Sequence, residues 1–582
     1  MSGADGRRGR NGARSAATGV PGAPPVAGVH ARGGPHPAPR DRDARGVAVR
    51  IGALALVAGV VAAAVAYDGP GGRPAASAPA AASAAATDPA ARPASARSST
   101  WYCAAGTTSI GGQGDHHVLL ANPMPAARHV TLTIVPGDVS HPDGAAGPPL
   151  PEEVTRDLDL APGSRQDVRL ADEVAAPMAA AIVEVDGGGV AVEHRVAGPR
   201  GSDVGPCSPA AAGTWHLAWG TTTRDTRDLV FLFNPFPSPA TVDASFVTEE
   251  GARSPVRWQG FPVPARSVVA VDLDDDVTRS HQVSATFHAR TGRIVVERLG
   301  IFDGSLGVKG VSLDLGVPRA ATAWAFAEGG ATAPTPVAPE PGTPAARRGG
   351  RSSRSGLATS EKIVVYNPGT RRAEVDVRLV PAASAAGPAA EPFRLSVGPG
   401  AYDVVDYGGQ ARADSGARLG TLVTSTNGVP VVAERVTTDV FTPEPGKRSS
   451  RSRPAPAGET TASPGARLAA TDWTVAAVGA DGATVRYGLV VLNPDHSRDV
   501  KLRVLPLAGA GAEPLVEATV PAGRVGSFRL PPGARGGVVV RVDGPVVVER
   551  VIRSGDGRRQ VVAPGIPSLD GARPLAELVA GG

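Results

Sequence analysis

The chain has 582 residues, a formal charge of +4, abundant Gly (74) and Pro (56), and only 4% aromatic residues. That length holds several domains, and that composition suits short strands, turns and disordered segments. Residues 1–50 carry nine Arg against Asp5, Asp41 and Asp43, a formal +6, so residues 51–582 sum to −2 and give no charge support for a nucleic-acid partner.

Residues 1–46 are polar and rich in Arg, Gly and Pro, and read as a disordered cytoplasmic tail. Residues 47–67 follow, with an uncharged apolar run from Ile51 to Tyr67. At about 1.5 Å per residue this run is at the short end of what spans a bilayer. Arg residues precede it and Asp68 follows it, which places the N-terminus in the cytoplasm and the remainder outside. The segment reads as a single-pass signal anchor. Cleavage and secretion is the alternative, because Ala64-Val65-Ala66 fits a small-x-small cleavage site. Residues 68–100 are nearly all Ala, Ser and Pro and read as an extended stalk.

The only two cysteines are Cys103 and Cys207. In an oxidising compartment the pair is expected to form a disulfide. No Cys-x-x-Cys accompanies them, which weakens a metal or catalytic-thiol reading.

From residue 101 the same phrases recur four times. Each unit opens on a tryptophan: Trp101, Trp215, Trp324 and Trp473. An apolar run then stops at Asn-Pro, at Asn122, Asn234, Asn367 and Asn493. A strand of period two follows, as in Ala373 to Val380, where Val375, Val377 and Leu379 alternate with Glu374, Asp376 and Arg378. Asn-Pro suits the turn between these strands: Pro ends the ladder and the Asn side chain can bond the turn backbone. Next comes a turn phrase such as VPARSVVAVDL at Val263, and then an expected hairpin at Asp186-Gly187, Thr291-Gly292, Asn427-Gly428 or Asp543-Gly544. Five or six residues after each turn glycine stands a glutamate: Glu193, Glu297, Glu434 or Glu549. Arg follows it directly in units two to four, and His194-Arg195 in unit one.

This spacing divides the chain into repeats at 101–208, 209–318, 319–441 and 466–575. Residues 331–357 read as a disordered insert in repeat three, and 442–465 as a linker. Six or seven short strands per hundred residues predict an all-β protein of four tandem immunoglobulin-like antiparallel sandwiches. A propeller is the runner-up, but four strands per blade would be too few.

Neighbours on a strand point to opposite faces, so Glu and the next Arg cannot pair with each other. If one face is buried, one charge of each pair points inward and needs a partner, since an unpaired inward charge costs several kcal/mol. Four copies of the pair favour an internal staple within each repeat over an active site. Asp115-His116-His117 could begin a metal site, but no third ligand is apparent, and Asp274-Asp275-Asp276 reads as a wet loop. No nucleophile-elbow, zincin or phosphate-loop motif is present, and no cofactor is implied.

The string WAFAEG at Trp324 to Gly329, the apolar-Asn-Pro and Val-Glu-Arg phrases, and the anchor, stalk and Trp-Tyr-Cys arrangement at Trp101 to Cys103 together resemble an actinobacterial membrane-associated family catalogued only as a domain of unknown function. The resemblance covers roughly residues 50–570 and brings topology and location without an activity. Repeat four lacks the Ala-Glu-Gly string. The expected function is a non-catalytic, membrane-anchored envelope scaffold that binds an envelope protein or glycan. The alternatives are a carbohydrate-binding module, for which Trp219 and Trp258 are the remaining aromatic candidates, and an envelope hydrolase with an unrecognised site.

Overall fold

The computed structural model describes residues 87–580, apart from 109–111, 141–148, 306, 332–334, 338–352, 386–389, 409, 411, 414–417, 443–457, 477–484, 509–511, 532–533, 535 and 555–559. The tail and the apolar segment 47–67 therefore lie outside the described residues. Among the described residues no helix is long and apolar enough to cross a membrane. Nearly everything described is β, with a single short helix at Leu575–Val579 near the end.

Strand pairing repeats four times. In repeat one the tryptophan strand Ser98–Cys103 pairs with Met178–Asp186, which pairs with Arg128–Ser140, which pairs with Val154–Leu160. We call this the Trp sheet. The second sheet runs Arg165–Arg169, Asp115–Ala121, Ala191–Gly198, Gly201–Pro206, and holds Glu193. We call it the Glu sheet. Repeat three has Ala323–Phe326, Leu419–Ser425, Ala373–Pro381 and Phe393–Val397 as its Trp sheet, and Ala401–Asp406, Ser353–Asn367, Val432–Thr442 and Thr460–Pro464 as its Glu sheet. Repeats two and four follow the same order.

This order corrects two expectations. An immunoglobulin constant domain joins its first, second, fifth and fourth strands; here the first joins the sixth, third and fourth, and the fifth joins the second, seventh and eighth. The turn dipeptides also do not make hairpins. Met178–Asp186 belongs to the Trp sheet and Ala191–Gly198 to the Glu sheet, so Asp186-Gly187 carries the chain from one sheet to the other. Gly187, Gly292 and Gly428 adopt positive φ there. In repeat four one strand, Val538–Ser554, runs through Asp543-Gly544 and serves both sheets in turn. Turn chemistry is the same for a hairpin and a crossover; the partner strand decides between them.

The repeats are not separate beads. Each apolar core is shared by two neighbours. Repeat one supplies Val135, Ala180 and Ile182 to the core built around Trp215 and Phe231 of repeat two. Repeat two supplies Ala218 and Trp219 to repeat three, and repeat three supplies Ala323 and Ala325 to repeat four. Repeat four supplies Ala476, Leu507 and Ile566 to the core around Trp101 of repeat one. The series therefore closes: the paired Trp and Glu sheets of the four repeats follow one another around a ring. The strands that end each Glu sheet, Gly201–Pro206, Lys309–Leu315, Thr460–Pro464 and Gln560–Pro564, touch one another inside it. Leu313 N donates to Asp203 Oδ2 (2.8 Å) and Ala462 N to Ser312 Oγ (2.9 Å) across these contacts.

Closure also covers both faces of the inner strands of the Glu sheets. Val295–Asp303 is buried at eight successive positions, Glu297 and Arg298 included. The one-wet-face pattern holds for Trp-sheet strands such as Ala373–Pro381.

Three boundaries differ from the sequence reading. The last part of the stretch read as a stalk is folded: Asp88, Ala90 and Ala91 are buried, and a strand starts at Ser98. Within the stretch read as an insert, Thr335–Val337 pairs with Ser353–Ser355. The expected linker contributes Thr460–Pro464 as a strand. In each case an Ala, Ser, Thr or Pro segment that cannot build a core alone docks on one that exists already. Cys103 and Cys207 form a disulfide joining the end of the tryptophan strand to the end of repeat one.

Candidate functional site

The recurring residues fall into two sets, one inside each repeat and one between repeats. Inside, the four Asn side chains are buried and fully bonded. Asn122 Oδ1 accepts from Met124 N (3.0 Å), and its Nδ2 donates to the carbonyls of Ala126 (2.9 Å) and Leu160 (3.1 Å). Asn234, Asn367 and Asn493 repeat the pattern with Phe236, Gly369 and Asp495 as amide donors and Val263, Val397 and Val520 as distant acceptors. Each Asn ties its own turn to the end of the strand that precedes the next turn. Indole Nε1 of Trp215 and Trp324 donates to the carbonyls of Ile294 (2.7 Å) and Val431 (2.9 Å), just before the Glu-Arg strand, whereas Trp473 donates to Ala470 O.

The glutamates work between repeats, which corrects the expectation of a staple within each one. Glu297 of repeat two accepts from Ala105 N of repeat one (2.7 Å). Glu434 of repeat three accepts from Ala218 N (2.6 Å) and Trp219 N (2.7 Å) of repeat two. Glu549 of repeat four accepts from Glu328 N of repeat three (2.7 Å), and Glu193 of repeat one from Ala476 N of repeat four (2.9 Å). In every case the amide lies three or four residues beyond the tryptophan of the preceding repeat.

The residue after each Glu serves the same junctions. Arg550 of repeat four makes a two-pronged bond to Glu193 of repeat one, at 2.7 and 3.0 Å. Arg435 bonds Glu549 at 2.8 Å, donates to Glu328 O, and stacks over Phe326. Arg298 donates to Trp219 O (2.6 Å), stacks on that ring, and pairs with Asp314 (3.3 Å). In repeat one the position is His194, whose Nε2 lies 3.3 Å from Glu297 Oε2. His194 Nδ1 in turn meets His116 Nε2 (3.0 Å), and His116 Nδ1 meets Ala179 O (2.8 Å). A carbonyl only accepts, so Nδ1 of His116 carries the proton and Nε2 is left to accept from His194. Neutral His194 then presents a lone pair to Glu297, which suits a carboxyl that keeps its proton.

Burial sets the protonation of this belt. It pushes Glu297 up to about 8, against the Ala104 and Ala105 amides. It pushes Glu361 up to about 8 despite Arg435, and raises Glu434 well above the usual range. Asp203 rises to about 7, and Asp228 and Asp314 to about 6, by the same cause. Burial lowers His116 to about 4, and His194 well below its ordinary value.

At one end of the ring the closing segments surround an apolar cavity of about 60 Å³ lined by Pro206, Trp215, Gly316, Gly465, Trp473 and Gly565. Thr87 to Pro89 line the same cavity. Asp88 pairs there with buried Arg467, and Arg319 donates to Thr87 Oγ1 (2.9 Å). Burial raises the Asp88 carboxyl and lowers the Arg467 guanidinium. Arg467 stands where the other repeats have Pro209, Pro318 and Pro567. That single exception was the sequence signal for this contact, and sequence reasoning missed it.

The other candidates separate. Alternation splits Asp115-His116-His117: His116 is buried in the junction, while His117 Nδ1 meets Asp167 (2.9 Å). Among the described residues no group of three His, Cys, Asp or Glu could hold a metal. Asp276 bonds Trp258 Nε1 (2.9 Å) and Arg257 (3.2 Å), so part of the Asp run is structural. Trp219 and Trp258 are 7% and 0% exposed, which removes both as sugar-stacking platforms.

Fold and belt together define an all-β ring of four repeats held by buried charge at the junctions. Over residues 191–443 the chain is similar to a family of unknown function, DUF5719. That stretch runs from the Glu-Arg strand of repeat one through that of repeat three. No curated protein matches the chain.

Proposed function

We propose that this chain is a non-catalytic, membrane-anchored extracytoplasmic protein of the cell envelope, whose propeller-like ring serves as an interaction scaffold. The observation that carries this reading is the use made of the repeated charges. Glu193, Glu297, Glu434 and Glu549 are at most 2% exposed, and each is bonded to the neighbouring repeat. The chain's most regular polar feature is thus devoted to holding a shape. A rigid ring with irregular connections at its rim suits recognition, because binding residues concentrate on loops positioned by a scaffold. Anchoring rests on the apolar run Ile51 to Tyr67 and the Arg residues before it.

The test is capture. Full-length protein, cross-linked on intact cells and purified, is expected to bring down a defined envelope protein or glycan. Recovery of neither would count against the scaffold reading. Activity-based probes applied to the same preparation address the hydrolase alternative, and a labelled residue would overturn the non-catalytic reading. External protease should remove the ring from intact cells while leaving residues 1–46 protected.

A further inference from the structure

A polar cleft of about 670 Å³ opens where repeat four meets repeat one. This is the seam at which the ring closes. At two other junctions the corresponding strand ends bridge in parallel: Val268 to Val271 lie against Gly137 to Ser140, and Ala382 lies against Val525. At the seam, among the described residues, Gly163 makes a close approach: an added Cβ would stand 2.6 Å from Ala508 Cα. Beside that contact the two sheets part and leave the cleft.

Its walls differ in chemistry. One is charged: His117 from Asp115–Ala121, and Arg165, Asp167 and Arg169 from the neighbouring strand. The other is low and made largely of backbone, from Leu507, Ala508, Gly536 and Gly537. Gly537 has a φ of 101°; its amide donates to Ala534 O (3.1 Å), and its carbonyl accepts from Leu507 N (3.0 Å). The charged wall is already organised. Asp167 is held by His117 (2.9 Å), Arg165 (3.2 Å) and Arg195 (3.7 Å), while Arg169 bridges Asp115 (2.6 Å) and Asp172 (2.9 Å). Burial works to raise Asp167, but the His117 bond and the two guanidinium groups hold it below the usual carboxylate range. It is therefore an ionised acceptor.

Two guanidinium groups, Arg165 and Arg169, line the cleft together with two carboxylates, Asp167 and Asp172. An anion entering here meets as much repulsion as attraction. A hydroxyl group both donates and accepts, so a matched Asp–Arg pair satisfies it from both sides. Hydrogen bonds to charged groups are also stronger than neutral ones. The opposite wall offers the exposed Ala508 and Gly536 to C–H groups. The volume lies within the roughly 300–1,000 Å³ typical of small-molecule sites. We propose that this cleft binds one ring of a neutral saccharide, with its hydroxyl edge on Asp167 and Arg169 and a C–H face on the wall of Ala508 and Gly536, the exposed residues of that side. The proposal rests on the scaffold reading and names a ligand class for it.

The test is titration of the full-length chain with neutral gluco-, manno-, galacto- and arabino-oligosaccharides, and separately with inorganic phosphate and a sugar phosphate. At least one neutral series is expected to bind. Asp167→Asn and Arg169→Ala should each weaken that binding by about tenfold or more, while Arg372→Ala on repeat three leaves it unchanged. Asp167→Asn removes a carboxylate, so it should also strengthen phosphate binding. Thermal scans of each variant establish folding, and His117→Gln serves as a second probe if Asp167→Asn unfolds. The proposal is overturned if no neutral saccharide binds, if phosphate binds the unmodified chain more tightly than any neutral saccharide, or if Arg169→Ala and His117→Gln leave sugar binding intact. A captured protein partner without saccharide binding would sink this proposal and leave the scaffold reading standing.

Discussion

At the scale of single residues, the Asn side chains show how much one amide can organise. Asn493 accepts from Asp495 N and donates to Arg498, Val520 and Pro521 carbonyls. Asn493→Ala leaves these groups without their partner in a buried turn, and should cost about 3 kcal/mol; chemical denaturation measures it, and a loss below about 1 kcal/mol would contradict the role given to this residue. Glu297 makes a different prediction. Its folded pKa of about 8 lies above the unfolded value of 4.5, so its contribution is full below 4.5 and is lost as pH rises through 8. Glu361, Asp203, Asp228 and Asp314 act with the same sign. His116, lowered to about 4 from 6.5, acts the opposite way: its contribution is full above 6.5 and is lost as pH falls through 4. The ring should therefore be most stable in mild acid, and its Tm should fall from pH 6 to pH 9. Glu297→Gln replaces the protonated carboxyl with a permanently neutral group. It is expected to flatten that fall while preserving the Tm at pH 6; an unchanged fall would show that Glu297 is ionised throughout this range.

At the scale of elements, the sequence was legible where local pattern decides and silent where distant chain decides. Val375, Val377 and Leu379 alternate with polar neighbours because one face of their sheet meets water. The run VVVERV also carried its message. Four valines around Glu549 and Arg550 leave no wet face, which is the pattern of a sheet covered on both sides. Applying a one-face rule to it led to the staple within a repeat. The partner itself could not be read, since Glu193 and Arg550 are 357 residues apart and no local signal links them. The same holds for Ala91, which bonds Pro567 and Leu569 across the ring. The junction arrangement changes the expectation for Glu549→Ala. This substitution strands buried Arg435 of repeat three, a loss of about 3–5 kcal/mol for a broken buried pair. Hydrogen exchange should show lost protection in Ala323–Phe326 and Val432–Thr442 as well as in repeat four. Loss confined to residues 466–575 would restore the staple within one repeat.

At the scale of the whole molecule, closure turns four similar units into one cooperative object. In an open tandem array each neighbour contact adds its own increment, and end repeats can be removed. Here the fourth repeat covers the first: Ala476, Leu507 and Ile566 complete the core around Trp101, and Arg550 neutralises Glu193. The one disulfide lies in repeat one, and its ends are 104 residues apart. In the chain-entropy model closing a loop of that length is worth about 4–5 kcal/mol, placed in a unit that must wait for the last repeat before its junction can form. The arm at Thr87 to Ala91 adds contacts to repeats three and four at the same end of the ring. Removing residues 466–582 therefore does more than shorten the protein. It uncovers the core of repeat one, strands Glu193 and leaves Arg435 without Glu549. The full ring should unfold in a single calorimetric transition, shifted to lower temperature by Cys103→Ser together with Cys207→Ser, and the truncated chain should show no native-like transition at all. Separate transitions in the full chain, or a truncated chain that melts at the parent temperature, would mean that the repeats are independent and that the closed belt of Glu and Arg contributes nothing to their stability.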